Sequence, residues 1–179
     1  MSTSLISQVL VRPDAVVVQQ DEVKPAFWPP IGNTRYLATR GLNGCTGVAI
    51  ISSKMGILAH IAPMPSGSGT PSGNEDPGRA NLIEKVQAII SFHNSYKQYL
   101  LEANTLIVAA VYQGEQALPM AIQVIKQVST KLGIPYKVKY YDVLAPGTAR
   151  APGQTSIVIH REGGATAPQV FINDEQFSL

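Results

Sequence analysis

The chain has 179 residues, 45% of them hydrophobic and only 15% charged, with a formal net charge of +2. That balance suits one folded domain with a buried core and excludes a chain kept open by its own charge. Its Lys and Arg residues form no run comparable to a nucleic-acid or anionic-lipid patch, Lys137 and Lys139 being the densest cluster, so neither nucleic acid nor membrane is expected as a partner.

A single cysteine rules out an intramolecular disulfide and favours a reducing compartment. Met1 to Leu10 lacks the basic start and sustained apolar run of a signal peptide. Leu106 to Val111 and Ser156 to Ile159 are strand-sized runs, too short to span a bilayer. A cytoplasmic location is the expectation.

In chain order, the β-branched run Ala15 to Val18 predicts a strand, and Lys24-Pro25 with Trp28-Pro29-Pro30 predicts a stiff loop. Arg35 to Arg40 alternates and ends at Gly41-Leu42-Asn43-Gly44, where the chain is expected to turn sharply. Thr46 to Ile51 and Ile57 to Ile61 flank Ser52-Ser53-Lys54-Met55-Gly56, the pattern of a hairpin. From Pro63 to about residue 80 the composition falls to Pro, Ser and Gly, predicting a flexible loop that borders a cleft. Asn81 is the expected cap of a helix whose apolar positions recur at three and four up to Leu100-Leu101.

Thr105 to Tyr112 reads as a buried strand, and Ala117 to Leu132 as a helix stopped by Gly133 and Pro135. Tyr136 to Val143, Ser156 to His160 and Gln169 to Ile172 are further strands. No repeat or composition break divides the chain, so residues 1–179 form one expected domain. The order of elements predicts an α/β or α+β layered sandwich with a mixed β-sheet and two main helices.

Cys45 follows two glycines and precedes Thr46-Gly47, so a turn there exposes a thiol together with backbone N–H groups. A nucleophile attacking an amide carbon needs such donors for the oxyanion, with Gly44, Asn43 and Thr46 as candidate backbone support. The hairpin sets His60 at the same sheet end, where an imidazole lowers the thiol pKa by pairing with the thiolate and then protonates departing ammonia. Taken separately, a lone cysteine is ordinarily inert and buried, and a strand-end histidine ordinarily structural. His93 and His160 carry no expected role. No zinc-ligand spacing and no phosphate-binding loop is present, so neither a metal nor another cofactor is expected.

The segment Thr39-Arg40-Gly41-Leu42-Asn43-Gly44-Cys45, followed by an apolar strand and His60, resembles the active-site pattern of the toxin-like glutamine deamidases. That superfamily includes the chemoreceptor deamidase CheD, the catalytic domain of cytotoxic necrotizing factor and Burkholderia lethal factor. Thr39 stands six positions before Cys45 and His60 fifteen after it, and the later elements resemble the CheD layout over nearly the whole chain. The resemblance implies a CheD-like fold in which Cys45 attacks a glutamine carboxamide, His60 serves as base and acid, and Thr39 positions the histidine. It implies a protein substrate carrying an accessible glutamine.

Two features depart from that pattern. Asn43 stands where the toxins carry serine, and Tyr112-Gln113-Gly114-Glu115 replaces the Gly-Gly-Ala segment of CheD; both bear on the substrate more than on the chemistry. A thioester on Cys45 is open to amines as well as to water, so transglutamination and small-amide hydrolysis stay open beside deamidation. The alternative of another class is a non-catalytic protein-binding module that keeps the fold and buries Cys45.

Overall fold

Local propensity sets most of the elements, which are seen in a computed structural model describing residues 3–64, 76–151, 153–163 and 167–179. They run α1 (Leu5–Val9), β1 (Ala15–Val18), β2 (Val23–Phe27), β3 (Tyr36–Thr39), β4 (Thr46–Ile51), β5 (Met55–Ile61), α2 (Pro77–Ser95) and a 3-10 turn (Lys97–Tyr99). There follow β6 (Asn104–Tyr112), β7 (Glu115–Gln116), α3 (Pro119–Lys131), β8 (Tyr136–Asp142), β9 (Ile157–His160), β10 (Gln169–Ile172) and β11 (Glu175–Phe177). The class is α+β.

The strands divide between two mixed sheets, where one had been expected. The first has the order β1-β3-β9-β10-β11 with β1 parallel to β3; the second has β2-β5-β4-β6-β7, with β8 parallel to β6. Strand alternation then makes the layers. Leu37, Ile157 and Ile159 of the first sheet meet Ala49, Leu58, Leu106 and Val108 of the second in the inter-sheet core. Val48, Ile50, Ala59 and Ile107 point the other way and pack under Leu82, Val86 and Ile89 of α2 and Ile122 and Ile125 of α3. On the far side Ile6 and Val9 of α1 cover Ala38 and Val158. Fully burying one such aliphatic side chain stabilises the fold by about 1.5–3 kcal/mol, which is why the odd and even positions of β4 are apolar alike.

Three expectations change. Pro25 lies in β2 and not in a loop, because β2 is an edge strand paired only with β5, where the missing N–H leaves no ladder donor unmatched. Helix α2 begins at Pro77, with the Asp76 side chain accepting from Arg79 N at 3.0 Å, so Asp76 and not Asn81 is the cap. The expected flexible loop from 63 to 80 is therefore helical from Pro77 onward, and residues 65–75 lie outside the described residues. Helix α1 and strands β7 and β11 are too short to have announced themselves by periodicity. Helix α1 depends on a Ser4 cap and on its two buried side chains.

Candidate functional site

The β4–β5 hairpin builds the site. Its register sets Gly47 opposite His60 and Thr46 opposite Ile61. Cys45 lies two residues before Gly47, so it shares a sheet face with His60 and is its diagonal neighbour, at about 7–8 Å between backbones, a gap that side chains bridge. Both face the inter-sheet core; Cys45 is 4% exposed and His60 2%. Glycine at 47 is a steric requirement, since a Cβ there would run into Ile157 Cδ1 of the facing sheet. Gly44, at φ +89°, takes the left-handed turn that brings the chain onto β4.

Thr39 comes from the opposite sheet and meets His60 across the sandwich, with its Oγ1 2.8 Å from His60 Nδ1. The same hydroxyl donates to the Val18 carbonyl at 2.8 Å. One hydroxyl has one proton, and a carbonyl only accepts, so Thr39 must accept from His60 Nδ1–H. The neutral imidazole then carries its lone pair on Nε2, an atom that is buried without a hydrogen-bond partner among the described residues. A base held in one tautomer, with its free lone pair on the ring nitrogen remote from Thr39, is the chemical product of this arrangement.

The main chain of His60 is held from its other edge. Asp21 N donates to His60 O at 2.7 Å, and His60 N donates to Glu22 O at 3.0 Å. Asp21, at φ +62°, turns its carboxylate toward the strand end, where Oδ1 accepts from Ala62 N at 3.1 Å and from Asn81 Nδ2 at 2.8 Å. Asn81 also donates to Ala62 O at 3.0 Å, so a residue expected to cap a helix instead pins that helix to the site. On the Cys45 side, the Tyr141 hydroxyl donates to the Cys45 carbonyl at 2.7 Å, and Leu144 N donates to Asn43 Oδ1 at 3.1 Å. Asp21 and Tyr141 had no signal in the sequence beyond a polar break after β1 and a Tyr-Tyr pair, and Asn81 stood out only as a candidate helix cap.

No family model matches the chain, and no curated protein matches it. What the residues do must therefore be read from their own chemistry.

Burial dominates the electrostatics. The Cys45 thiol is pushed up to about 11, first by burial and then by the Asp21 carboxylate, with Arg150 acting in the opposite sense. His60 is pulled down to about 4 by burial, against a smaller upward pull from Asp21. Burial also raises the Tyr141 phenol, so its hydroxyl stays protonated as a donor. At neutral pH cysteine and histidine are both uncharged. The thiolate–imidazolium pair expected from the sequence is absent from the resting state, and no sulfur–nitrogen hydrogen bond joins the two among the described residues.

Of the expected backbone support, the Gly44 main chain, like that of Cys45, is hydrogen-bonded toward the Tyr141 phenol, lowering its pKa against the larger upward effect of burial. Asn43 is occupied by Leu144 through its side chain. The Thr46 side chain points away from Cys45, toward the helix layer, and its main chain pairs with Ile61 in the β4–β5 ladder, so neither is placed to serve an oxyanion on the thiol side. Among the described residues no group of three His, Cys, Asp or Glu is placed to hold a metal, and no helix is long and apolar enough to cross a membrane.

Proposed function

We propose that the chain is a cysteine amidohydrolase of the toxin-like, CheD-like kind that deamidates glutamine side chains of a protein to glutamate. The observation that carries this is the Val18 O–Thr39–His60 chain of hydrogen bonds, which leaves Nε2 unprotonated on the sheet face that Cys45 shares. The Cys45 proton passes to His60 Nε2 as sulfur attacks the carboxamide carbon, and the main-chain amides at Gly44 and Cys45, directed at the Tyr141 hydroxyl in the resting state, are the candidate donors to the resulting oxyanion. Imidazolium then gives its proton to the departing amide nitrogen, releasing ammonia and leaving a thioester. Water, deprotonated by His60, attacks the thioester, and the thiol is restored with the product carboxylate. Because both groups rest neutral, proton transfer accompanies attack and does not precede it; catalytic contacts commonly tighten only when substrate is bound. A glutamine side chain, thin and two methylenes long, suits a nucleophile only 4% exposed.

That same burial and the raised thiol favour a second role, in which Cys45 is an inert core residue of a protein-binding module. One experiment separates the two. The pH dependence of iodoacetamide alkylation of Cys45 is measured in the wild type and in His60→Ala, alongside mass spectrometry of a glutamine-bearing protein for conversion to glutamate. The amidohydrolase predicts alkylation at neutral pH that falls in His60→Ala, with conversion lost in Cys45→Ser. A rate that follows only the titration of the buried thiol, ignores His60 and comes with no conversion to glutamate would count against the enzyme and for the inert core residue. Addition of a primary amine separates deamidation from transglutamination, since exclusive amine incorporation would assign the latter.

A further inference from the structure

On the opposite face of the second sheet from Cys45, at the same strand end, lies a cavity of about 280 Å³. The N-terminal turns of α2 and α3 both open onto it. Thr46 lines it from below, on the face that Val48 and Ile50 also take. This threonine is 1% exposed, and its Oγ1 is buried with no hydrogen-bond partner among the described residues. A buried hydroxyl without a partner is costly to the fold, and the apolar neighbours of Thr46 show that valine would be the ordinary occupant of such a position.

The rest of the wall explains what the hydroxyl is for. Helix α3 has Leu118 at its cap, which gives no side-chain hydrogen bond, and Pro119 at its first position, which has no N–H. The next two amides, Met120 N and Ala121 N, have no acceptor among the described hydrogen bonds, and both residues line the cavity. Unpaired amides at a helix start carry partial positive charge and favour an anionic acceptor. Arg79 stands at the rim. The one carboxylate on the wall, Asp76, already accepts from Arg79 N as the cap of α2. Between these donors the surface is hydrocarbon, chiefly Ile61, Leu82 and Leu118.

We propose that this cavity is a binding site for a short aliphatic carboxylate, its head on Thr46 Oγ1 and the Met120 and Ala121 amides, and its chain against Ile61 and Leu82. Arg79 adds a cation at the entrance. The ligand sits on the other side of the sheet from the thiol, so the site stands whether or not Cys45 is catalytic.

The test is calorimetric titration of the full chain with hexanoate, hexanol, hexylammonium and inorganic phosphate, repeated with Thr46→Val and Arg79→Ala. Hexanoate should saturate at one per chain, with hexanol, hexylammonium and phosphate each weaker by about tenfold or more. Thr46→Val should weaken hexanoate about tenfold, the loss of one hydrogen bond to a charged group, while raising the melting temperature of the free protein. Arg79→Ala, at an exposed position, should weaken hexanoate without altering melting. Absence of saturable binding of hexanoate would overturn the proposal. So would hexanol or hexylammonium binding as tightly, phosphate alone matching hexanoate, or a Thr46→Val protein that binds hexanoate as well as the wild type.

Discussion

A threonine hydroxyl can give away one proton, and at Thr39 that proton goes to Val18 O, which decides the tautomer of His60. Replacing Thr39 by valine keeps the shape and removes the acceptor of the Nδ1 proton, leaving a buried donor unsatisfied. Stability should fall by about 1–3 kcal/mol, measured by urea unfolding, and glutamine conversion by at least about tenfold, while Thr39→Ser should retain most of both. At this scale the sequence singled out candidates and was poor about their state. Cys45, His60 and Thr39 stand out because a glycine-flanked cysteine, a hairpin-spaced histidine and an upstream threonine coincide. The neutrality of the pair could not be read there, because a pKa depends on how much water the surrounding layers remove, and both groups proved to be buried between two sheets.

Among the elements, the β4–β5 hairpin was the most legible, since its two apolar runs and short polar turn leave little freedom in register. The start of α2 was not, because Asn81 and Asp76 are both acceptable caps and only the tertiary partners decide between them. Asn81 is 5% exposed and ties α2 to Asp21 and to the end of β5. Asn81→Ala should therefore cost about 1–3 kcal/mol by leaving the buried Ala62 carbonyl without this donor and removing one of the donors to Asp21 Oδ1, a loss far above that of a solvent-exposed helix position. Equilibrium unfolding in urea checks this: the midpoint should drop with an unchanged slope. Asp21 also bonds the His60 carbonyl through its amide, so the same variant should lower glutamine conversion more than its stability loss accounts for.

For the whole molecule, burial of a titratable pair between two sheets makes stability depend on pH in two windows. Below the ordinary histidine value of 6.5 the unfolded chain takes up a proton at His60 that the folded chain refuses until about pH 4. Stability contributed by this group is therefore full above pH 6.5 and falls as pH drops toward 4, by up to about 3 kcal/mol. Cys45 acts in the opposite direction: the unfolded thiol ionises near its ordinary 9 and the folded one near 11, so stability falls as pH rises across that interval. Unfolding free energies measured from pH 4 to 11 should show both limbs. His60→Asn should flatten the acid limb and Cys45→Ser the alkaline one.

The sequence by itself determined the α+β class, the principal strands and the two long helices, and it set Cys45 and His60 at one sheet end. These follow from periodicity, turn residues and spacing, which are local properties. Only the tertiary structure decided that the strands split into two sheets, that Pro25 belongs to a strand, and that Thr46 faces away from the thiol into a separate cavity. It alone brought in Asp21, Asn81 and Tyr141. Each of these depends on which faces are covered and by what, and a pattern along one strand carries no record of the residues that approach it from another.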